Sequence, residues 1–310
     1  MNVSNSCNSG FNSPEEAYVY VSLYGLLFIL GLTLNALALW VFCCRMRKWT
    51  ETQVYMVNLA VADGCLVLVF PIVIYFTKTS CFEDLSCQVP QGIYLVNVYM
   101  SICIPTAIGM DRYVAIKYPL KAKVLRTPGR AAIVCALLWV VVISMMAFRV
   151  VWQIHDDAFC FHKATRIHTS VALFSMLGFF LPLGILVFCT LQIVCTLLKV
   201  QRREISEIRQ TRKSVSMVLA NLAVFVICFL PLHLSIVLNF FLGHNDRFKK
   251  VFKIVTLLSN TNCCLDAICY YFVAKEFQQV NPFFFLRCRQ PGRVANQRQE
   301  LQDKTCTTLL

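Results

Sequence analysis

Apolar residues gather into seven long blocks, at about 18–44, 53–77, 88–117, 130–152, 168–199, 214–242 and 251–273, separated by short polar or basic stretches. A helix that crosses a bilayer needs about 20 mostly apolar residues, and each block supplies that length. Hydrophobicity spreads over more than one face of each block, so lipid rather than protein has to cover part of it. The runs are continuous rather than alternating, which excludes the strands of a membrane barrel. An open sheet edge cannot face hydrocarbon, so strands are not expected at all. The pattern predicts an all-α fold, a seven-transmembrane helix bundle over 18–273, with loops too short for a soluble domain. Residues 1–17 form a polar amino-terminal segment, and 290–310 a polar tail expected to be disordered.

Composition agrees with the pattern. Hydrophobic residues make up 58% of the 310 and charged residues 15%, against roughly 45–50% and about 25% in soluble domains. The net charge of +13 follows from how Lys and Arg are placed: 20 of the 29 lie on one side of the bundle and 7 on the other. By the positive-inside rule the basic side is cytosolic and the amino terminus is outside. The charge thus orients the chain in a plasma membrane as a multi-pass protein and gives no reason to expect nucleic acid. No basic segment precedes an apolar core at the amino terminus, so a cleaved signal peptide is not expected. Asn2-Val3-Ser4 is an N-glycosylation acceptor pattern on the outer side.

Most of the 17 cysteines lie within apolar blocks and read as small packing residues. Cys87, at the start of the third block, and Cys160, in the loop after the fourth, fall on the oxidising side. A bridge between them would pin that loop over the bundle, worth about 2–4 kcal/mol. Cys7 and Cys81 are outside as well and leave room for a second bridge.

Some polar residues within the blocks are costly. Asp63 lies inside the second block, where a carboxylate costs roughly 2.5–3.5 kcal/mol. Its available partners are Asn35, Ser101, Asn262 and Asp266. Around them stand Gly31-Leu32-Thr33-Leu34-Asn35, Leu59-Ala60-Val61-Ala62-Asp63, Asp111-Arg112-Tyr113, Trp139, Pro182, Cys228-Phe229-Leu230-Pro231 and Asp266-Ala267-Ile268-Cys269-Tyr270. This ordered set, one per block, resembles the rhodopsin-like (class A) G-protein-coupled receptors. Trp49-Thr50-Glu51-Thr52, Gln91-Gly92-Ile93-Tyr94-Leu95 and the run from Asn262 to Tyr271 narrow the resemblance to a branch recognising small organic acids and lysophospholipids.

The resemblance carries expectations. Arg112 is the pivot between resting and signalling states, held by Asp111 in one of them; Tyr113, Phe229, Pro231, Asp266 and Tyr270 belong to the same switch. Thr211, Thr190, Phe229 and Ala267 depart from the class pattern and imply a shallow resting barrier with some basal activity. The oxygens of Asp63, Ser101, Asn262 and Asp266 suit a sodium ion; the other reading is a proton shared between the two carboxylates. No other cofactor is expected.

The ligand is expected from outside, between the third, fifth, sixth and seventh helices. Tyr94 replaces the aspartate of amine receptors, and 255–260 lacks the lysine that retinal needs. Arg149, His162, Lys163 and Arg166 supply basic groups, and Tyr94, Tyr99, Phe161, Phe174 and His233 supply walls, a combination suited to a small anionic ligand, either an aromatic acid or a lysophospholipid. Arg149 is also placed to snorkel, and Lys163 and Arg166 to stand as solvated charges. Val98 stands where relatives of this branch carry a further arginine.

On the cytosolic face, basic ends at 199–204 and 209–213 are expected to flank a heterotrimeric G protein, of the inhibitory or twelve/thirteen type, and to attract membrane lipids. Ala274-Lys275-Glu276-Phe277 resembles the start of a short amphipathic eighth helix, over 274–289, with Cys288 a palmitoylation site. Thr305, Thr307 and Thr308 are candidates for phosphorylation and arrestin binding, and Thr308-Leu309-Leu310 for a PDZ domain. The competing readings are a membrane enzyme and a transporter. The first lacks a nucleophile or metal motif, and the second lacks related halves.

Overall fold

The computed structural model describes residues 13–45, 49–79, 84–153, 169–199, 205–242 and 246–273. The amino-terminal Asn2 and Cys7, the loop with Cys160 to Arg166, and everything after 273, including the expected eighth helix and Cys288, lie outside them.

Nine helices follow in order among the described residues: α1 (Pro14–Trp40), α2 (Glu51–Thr79), α3 (Asp84–Lys117), α4 (Pro119–Leu125), α5 (Pro128–Gln153), α6 (Thr169–Lys199), α7 (Ile205–Leu242), α8 (Asp246–Asn260) and α9 (Asn262–Val273). No strand occurs among the described residues. Seven spans are long and apolar enough to cross a membrane, α8 and α9 together forming the seventh. The chain is a multi-pass membrane protein.

Local chemistry sets the ends. Ser13 caps α1 by accepting the Glu16 amide at 3.2 Å, with Pro14 in the first turn. α1 therefore begins four residues before the apolar block, because the cap and not hydrophobicity decides where it starts. It runs on through a π-turn at Val41–Arg45. Thr50 and Gln53 close a reciprocal capping box on α2, the Thr50 amide reaching Gln53 Oε1 at 2.8 Å and the Gln53 amide reaching Thr50 Oγ1 at 3.4 Å. Thr127 Oγ1 receives the Arg130 amide at 3.3 Å and caps α5. Between α3 and α5 the short α4 was not legible in the hydrophobic pattern. α7 starts at Ile205, well before its apolar block, because its first turns are polar.

The seventh span breaks at Thr261, not at Ala267, and α9 passes unbroken through the latter. Ser259 Oγ donates to Thr256 O at 3.0 Å, and Thr261 Oγ1 to Leu258 O at 2.7 Å. Such short back-bonds compete with the helical ladder.

Packing is inside-out relative to a soluble protein. Leu26, Ile29, Leu137, Val140, Leu177 and Leu181 face outward, whereas Asn35, Asp63, Asn97, Ser101, Asn260, Asn262 and Asp266 are buried. α3 is the hub: 72% of its apolar window is buried, against 22% for α5. Trp139 Nε1 donates to Asn58 Oδ1 at 3.0 Å and ties α5 to α2. Asn35 Nδ2 donates to Gly31 O at 3.0 Å and to Cys263 O at 2.8 Å, tying α1 to α9. That approach needs Gly31, since a Cβ there would lie 2.6 Å from Val67 Cγ2 and 3.3 Å from Cys263 Sγ.

Gly31→Ala is expected to lower the thermal midpoint in detergent, at a cost of about 1–3 kcal/mol. Gly25, whose Cβ would meet nothing within 4 Å, is the control. Gly25→Ala should hold or raise the midpoint, and equal losses at both positions would contradict the close approach.

Candidate functional site

Polar side chains on α1, α2, α3 and α9 converge in the middle of the bundle. Asp63 is fully buried, and its Oδ1 accepts Asn97 Nδ2 at 3.0 Å. Asn97, one turn before Ser101 on α3, went unremarked in the sequence because an asparagine in an apolar block carries no period of its own. Two expected partners turn elsewhere. Asn35 serves the α1–α9 contact, and Asn262 Nδ2 donates to Asp266 Oδ2 at 2.8 Å. Asp63 Oδ2 and Ser101 Oγ are both buried, and neither makes a hydrogen bond of good geometry, although the Ser101 hydroxyl lies near enough to the Asp63 carboxyl to interact with it. A carboxylate oxygen and a hydroxyl oxygen in that condition fit a hard cation such as sodium.

At the far end of α3 the sequence pointed to Asp111, Arg112 and Tyr113. The ion pair Arg112 Nε–Asp111 Oδ2 spans 3.7 Å, and Arg112 Nε makes no hydrogen bond. The stronger grip on Asp111 comes from Arg126. Its Nε donates to Oδ1 at 2.9 Å and its Nη2 to Oδ2 at 2.8 Å, a two-pronged fork. Arg126 Nη2 also lies 3.5 Å from Glu51 Oε2, at the start of α2. The fork exists because α4 ends at Arg126: its amide closes on Ala122 O at 2.9 Å while its backbone turns extended, which returns the side chain toward α3. Burial works against the charge of Arg126. The hydrogen bonds and charge of Asp111, with smaller contributions from Glu51 and Tyr55, outweigh it and hold the guanidinium above its ordinary pKa. Sequence reasoning assigned the grip to Arg112 because the two are adjacent; Arg126 is 15 residues away and becomes a neighbour only through α4.

The remaining switch residues are distributed along the bundle. Tyr113 packs away from Asp111, edge-on to Tyr118 at 6.0 Å and tilted to Phe188 at 5.9 Å. Phe229 is buried, edge-on to Phe225 at 6.0 Å, and Pro231 lies within α7. Cys228 Sγ sits 3.7 Å from Thr261 Oγ1 and so links α7 to the break in the seventh span. Tyr270 is buried edge-on to Phe42 at 5.8 Å, its hydroxyl without a hydrogen bond. Thr190 Oγ1 donates to Leu186 O at 2.7 Å, back into its own helix.

At the opposite end, Tyr94 and Tyr99 diverge. Tyr94 OH lies 3.2 Å from Ser259 Oγ on α8, whereas Tyr99 packs edge-on to Phe174 of α6 at 5.0 Å. His233 is committed to its own surroundings: Nδ1 donates to Phe229 O at 2.9 Å, and the ring stacks on Phe179 at 4.2 Å. Arg149 lies on α5 with its side chain outside the described residues, as is that of Cys87 on α3. Phe161, His162, Lys163 and Arg166 lie wholly outside them. A cleft at this end is lined by Tyr24, Phe70, Tyr94, Phe252, Lys253 and Asn260, among others, from α1, α2, α3 and α8. Among the described residues, Tyr94 is the one expected from sequence to meet a ligand that lines it.

Residues 34–270 match the family model described as 7 transmembrane receptor (rhodopsin family). The chain is 46% identical to G-protein coupled receptor 35 of Mus musculus, over 99% of each chain, and 46% identical to that of Homo sapiens, over 98% of each. It is also 31% identical to human lysophosphatidic acid receptor 6, over 88% of this chain and 86% of the relative. Human G-protein coupled receptor 55 is 33% identical, over 90% of this chain and 89% of the relative. With seven spans, a buried carboxylate at the centre and a forked arginine–aspartate cluster at one end, this chain belongs to the rhodopsin family of seven-transmembrane receptors.

Proposed function

We propose that the protein is a plasma-membrane receptor, with its amino terminus outside, that responds to a small anionic ligand and signals through heterotrimeric G proteins of the inhibitory or twelve/thirteen type. The observation that carries the signalling half is the state of Arg112. Its Nε is buried without a hydrogen bond, and its carboxylate neighbour is already gripped by Arg126. A half-buried guanidinium held by one loose contact is poised to be transferred to another acceptor, such as the carbonyl end of a G-protein helix. Support for the anion comes from a relative, lysophosphatidic acid receptor 6, whose named ligand is a phosphate ester. Arg149, with the loop residues His162, Lys163 and Arg166, remains the basic set proposed to meet such a ligand, with Tyr99, Phe161 and His233 as neighbours. Arrestin, a PDZ protein and the modifications at Asn2, Cys288 and the Cys87–Cys160 pair complete the proposal.

The central oxygens are proposed to hold sodium in the resting state: Asp63 Oδ2, Ser101 Oγ and the Asn262–Asp266 pair. There the ion would supply positive charge that neutralises buried carboxylates.

Nucleotide exchange on purified G protein tests the signalling reading. Arg112→Ala should abolish stimulated exchange while surface expression is retained. Two further variants should act in opposite directions. Asp111→Asn removes the partner of Arg112 and should raise ligand-free exchange severalfold. Arg126→Ala leaves Asp111 to Arg112 alone, tightening the 3.7 Å pair, and should lower it. Undiminished coupling in Arg112→Ala would remove the proposal.

Sodium has its own readout. Replacing potassium by sodium should raise the thermal midpoint of the wild-type protein and leave Asp63→Asn unchanged. A sodium-independent midpoint in the wild type would favour the shared proton.

A further inference from the structure

Two adjacent thiols end the first span. Among the described cysteines Cys43, Cys44, Cys65 and Cys195 are exposed, and Cys43 and Cys44 are the consecutive pair. The turn that carries them sets their direction. Val41 and Phe42 of the π-turn are buried and continue the inward seam of Gly31, Asn35 and Ala38 along α1. Phe42 is fixed edge-on to Tyr270 at 5.8 Å. The two residues that follow therefore point away from the bundle. They extend the outward stripe of Ile29, Thr33 and Ala36, with Cys43 seven residues, about two turns, beyond Ala36.

Their depth follows from their neighbours. Trp40 and Arg45 bracket the pair, the guanidinium 6.0 Å from the centre of the indole, and Arg47 and Lys48 come next in the chain. Tryptophan and basic side chains collect at the boundary between hydrocarbon and water. The two sulfurs thus stand where acyl chains give way to headgroups, within reach of both. Cys65, exposed as well, lies in the middle of α2 (Glu51–Thr79) and so within hydrocarbon. Two other uses of a thiol pair do not fit. No group of three His, Cys, Asp or Glu side chains able to hold a metal occurs among the described residues, and the cytosol keeps thiols reduced rather than bridged.

We infer that Cys43 and Cys44 form a site of S-acylation, each carrying a long-chain fatty acid in thioester linkage whose chain lies in the inner leaflet along the outward face of α1. The donor is a long-chain acyl thioester of coenzyme A. Each cysteine sulfur, as thiolate, attacks the acyl carbonyl carbon. A new carbon–sulfur bond forms as the bond to coenzyme A breaks, coenzyme A leaves as a thiol with the proton that the cysteine gave up, and nothing is oxidised. Two chains hold a segment in the leaflet far more firmly than one. They fix there the turn whose Phe42 packs on Tyr270 of the seventh span. The site is separate from Cys288, near the other end of the chain. It rests on one part of the proposed function, the orientation that puts this end of α1 in the cytosol.

The test uses the full chain expressed in cultured animal cells. Free thiols are blocked with N-ethylmaleimide, thioesters are cleaved with neutral hydroxylamine, and the thiols released are tagged with a maleimide-bearing polymer that shifts the band once per site. The variant with both Cys43→Ser and Cys44→Ser should carry two tags fewer than the wild type, and each single variant one fewer. Cys65→Ser should carry as many as the wild type. Mass spectrometry of the wild type should place hydroxylamine-dependent tags on Cys43 and Cys44, a readout that no misfolded variant can disturb. Wild-type chains untagged at both positions, or a double variant with an unchanged tag count, would overturn the inference. An epitope fused before Met1 checks the orientation separately. It should bind antibody on intact cells. Binding only after permeabilisation would overturn the orientation and the inference with it, whereas absent tags beneath an epitope shown to be outside would overturn acylation and leave the orientation standing.

Discussion

A carboxylate in the middle of a membrane-spanning bundle has no water to turn to, so the protein must supply its partners. Asp63 sets that demand here. Its burial requires α3 to bring Asn97 alongside α2, and it requires the seventh span to carry Asn262 and Asp266 to the same depth. Asn35 meets a different part of the need, satisfying a backbone carbonyl of α9 where α1 approaches through Gly31. Buried charges of this kind are weak evidence for stability, since replacing them by well-packed apolar residues is often neutral or stabilising.

The same reasoning applies at the Arg112 end, where the carboxylate is shared. Two guanidiniums compete for Asp111: one is held by a fork and the other by a single longer contact. The fork belongs to the connection between α3 and α5, and through Glu51 it reaches the start of α2. The pose of that connection therefore bears on how tightly Arg112 is held. This couples a surface element to a half-buried charge without any long pathway.

The seventh span connects the two ends. It breaks at Thr261, where side-chain hydroxyls take backbone carbonyls, and Cys228 of α7 touches that break. Above it, Tyr94 and Asn260 face a cleft; below it, Asp266 and Tyr270 join the buried polar set. A ligand that moves α8 would act on a helix already interrupted, where a change of angle costs less than in an unbroken one.

Much of this molecule can be read from one dimension. Membrane-length apolar blocks force helices, because only a helix satisfies its backbone within a single segment, and the ordered motifs place Asp63, Arg112 and Asp266 at known depths. Pairing cannot be read that way. A side chain's partner depends on helix rotation and on loop path, which the hydrophobic period does not encode. So Asn97 rather than Asn35 meets Asp63, Arg126 rather than Arg112 forks Asp111, and Lys253 meets Glu16 across 237 residues. The apolar blocks settle the number of spans and which residues have to be buried at a cost; which of those residues touch emerges only in the folded bundle, because contact is set by the approach of helices distant in the chain.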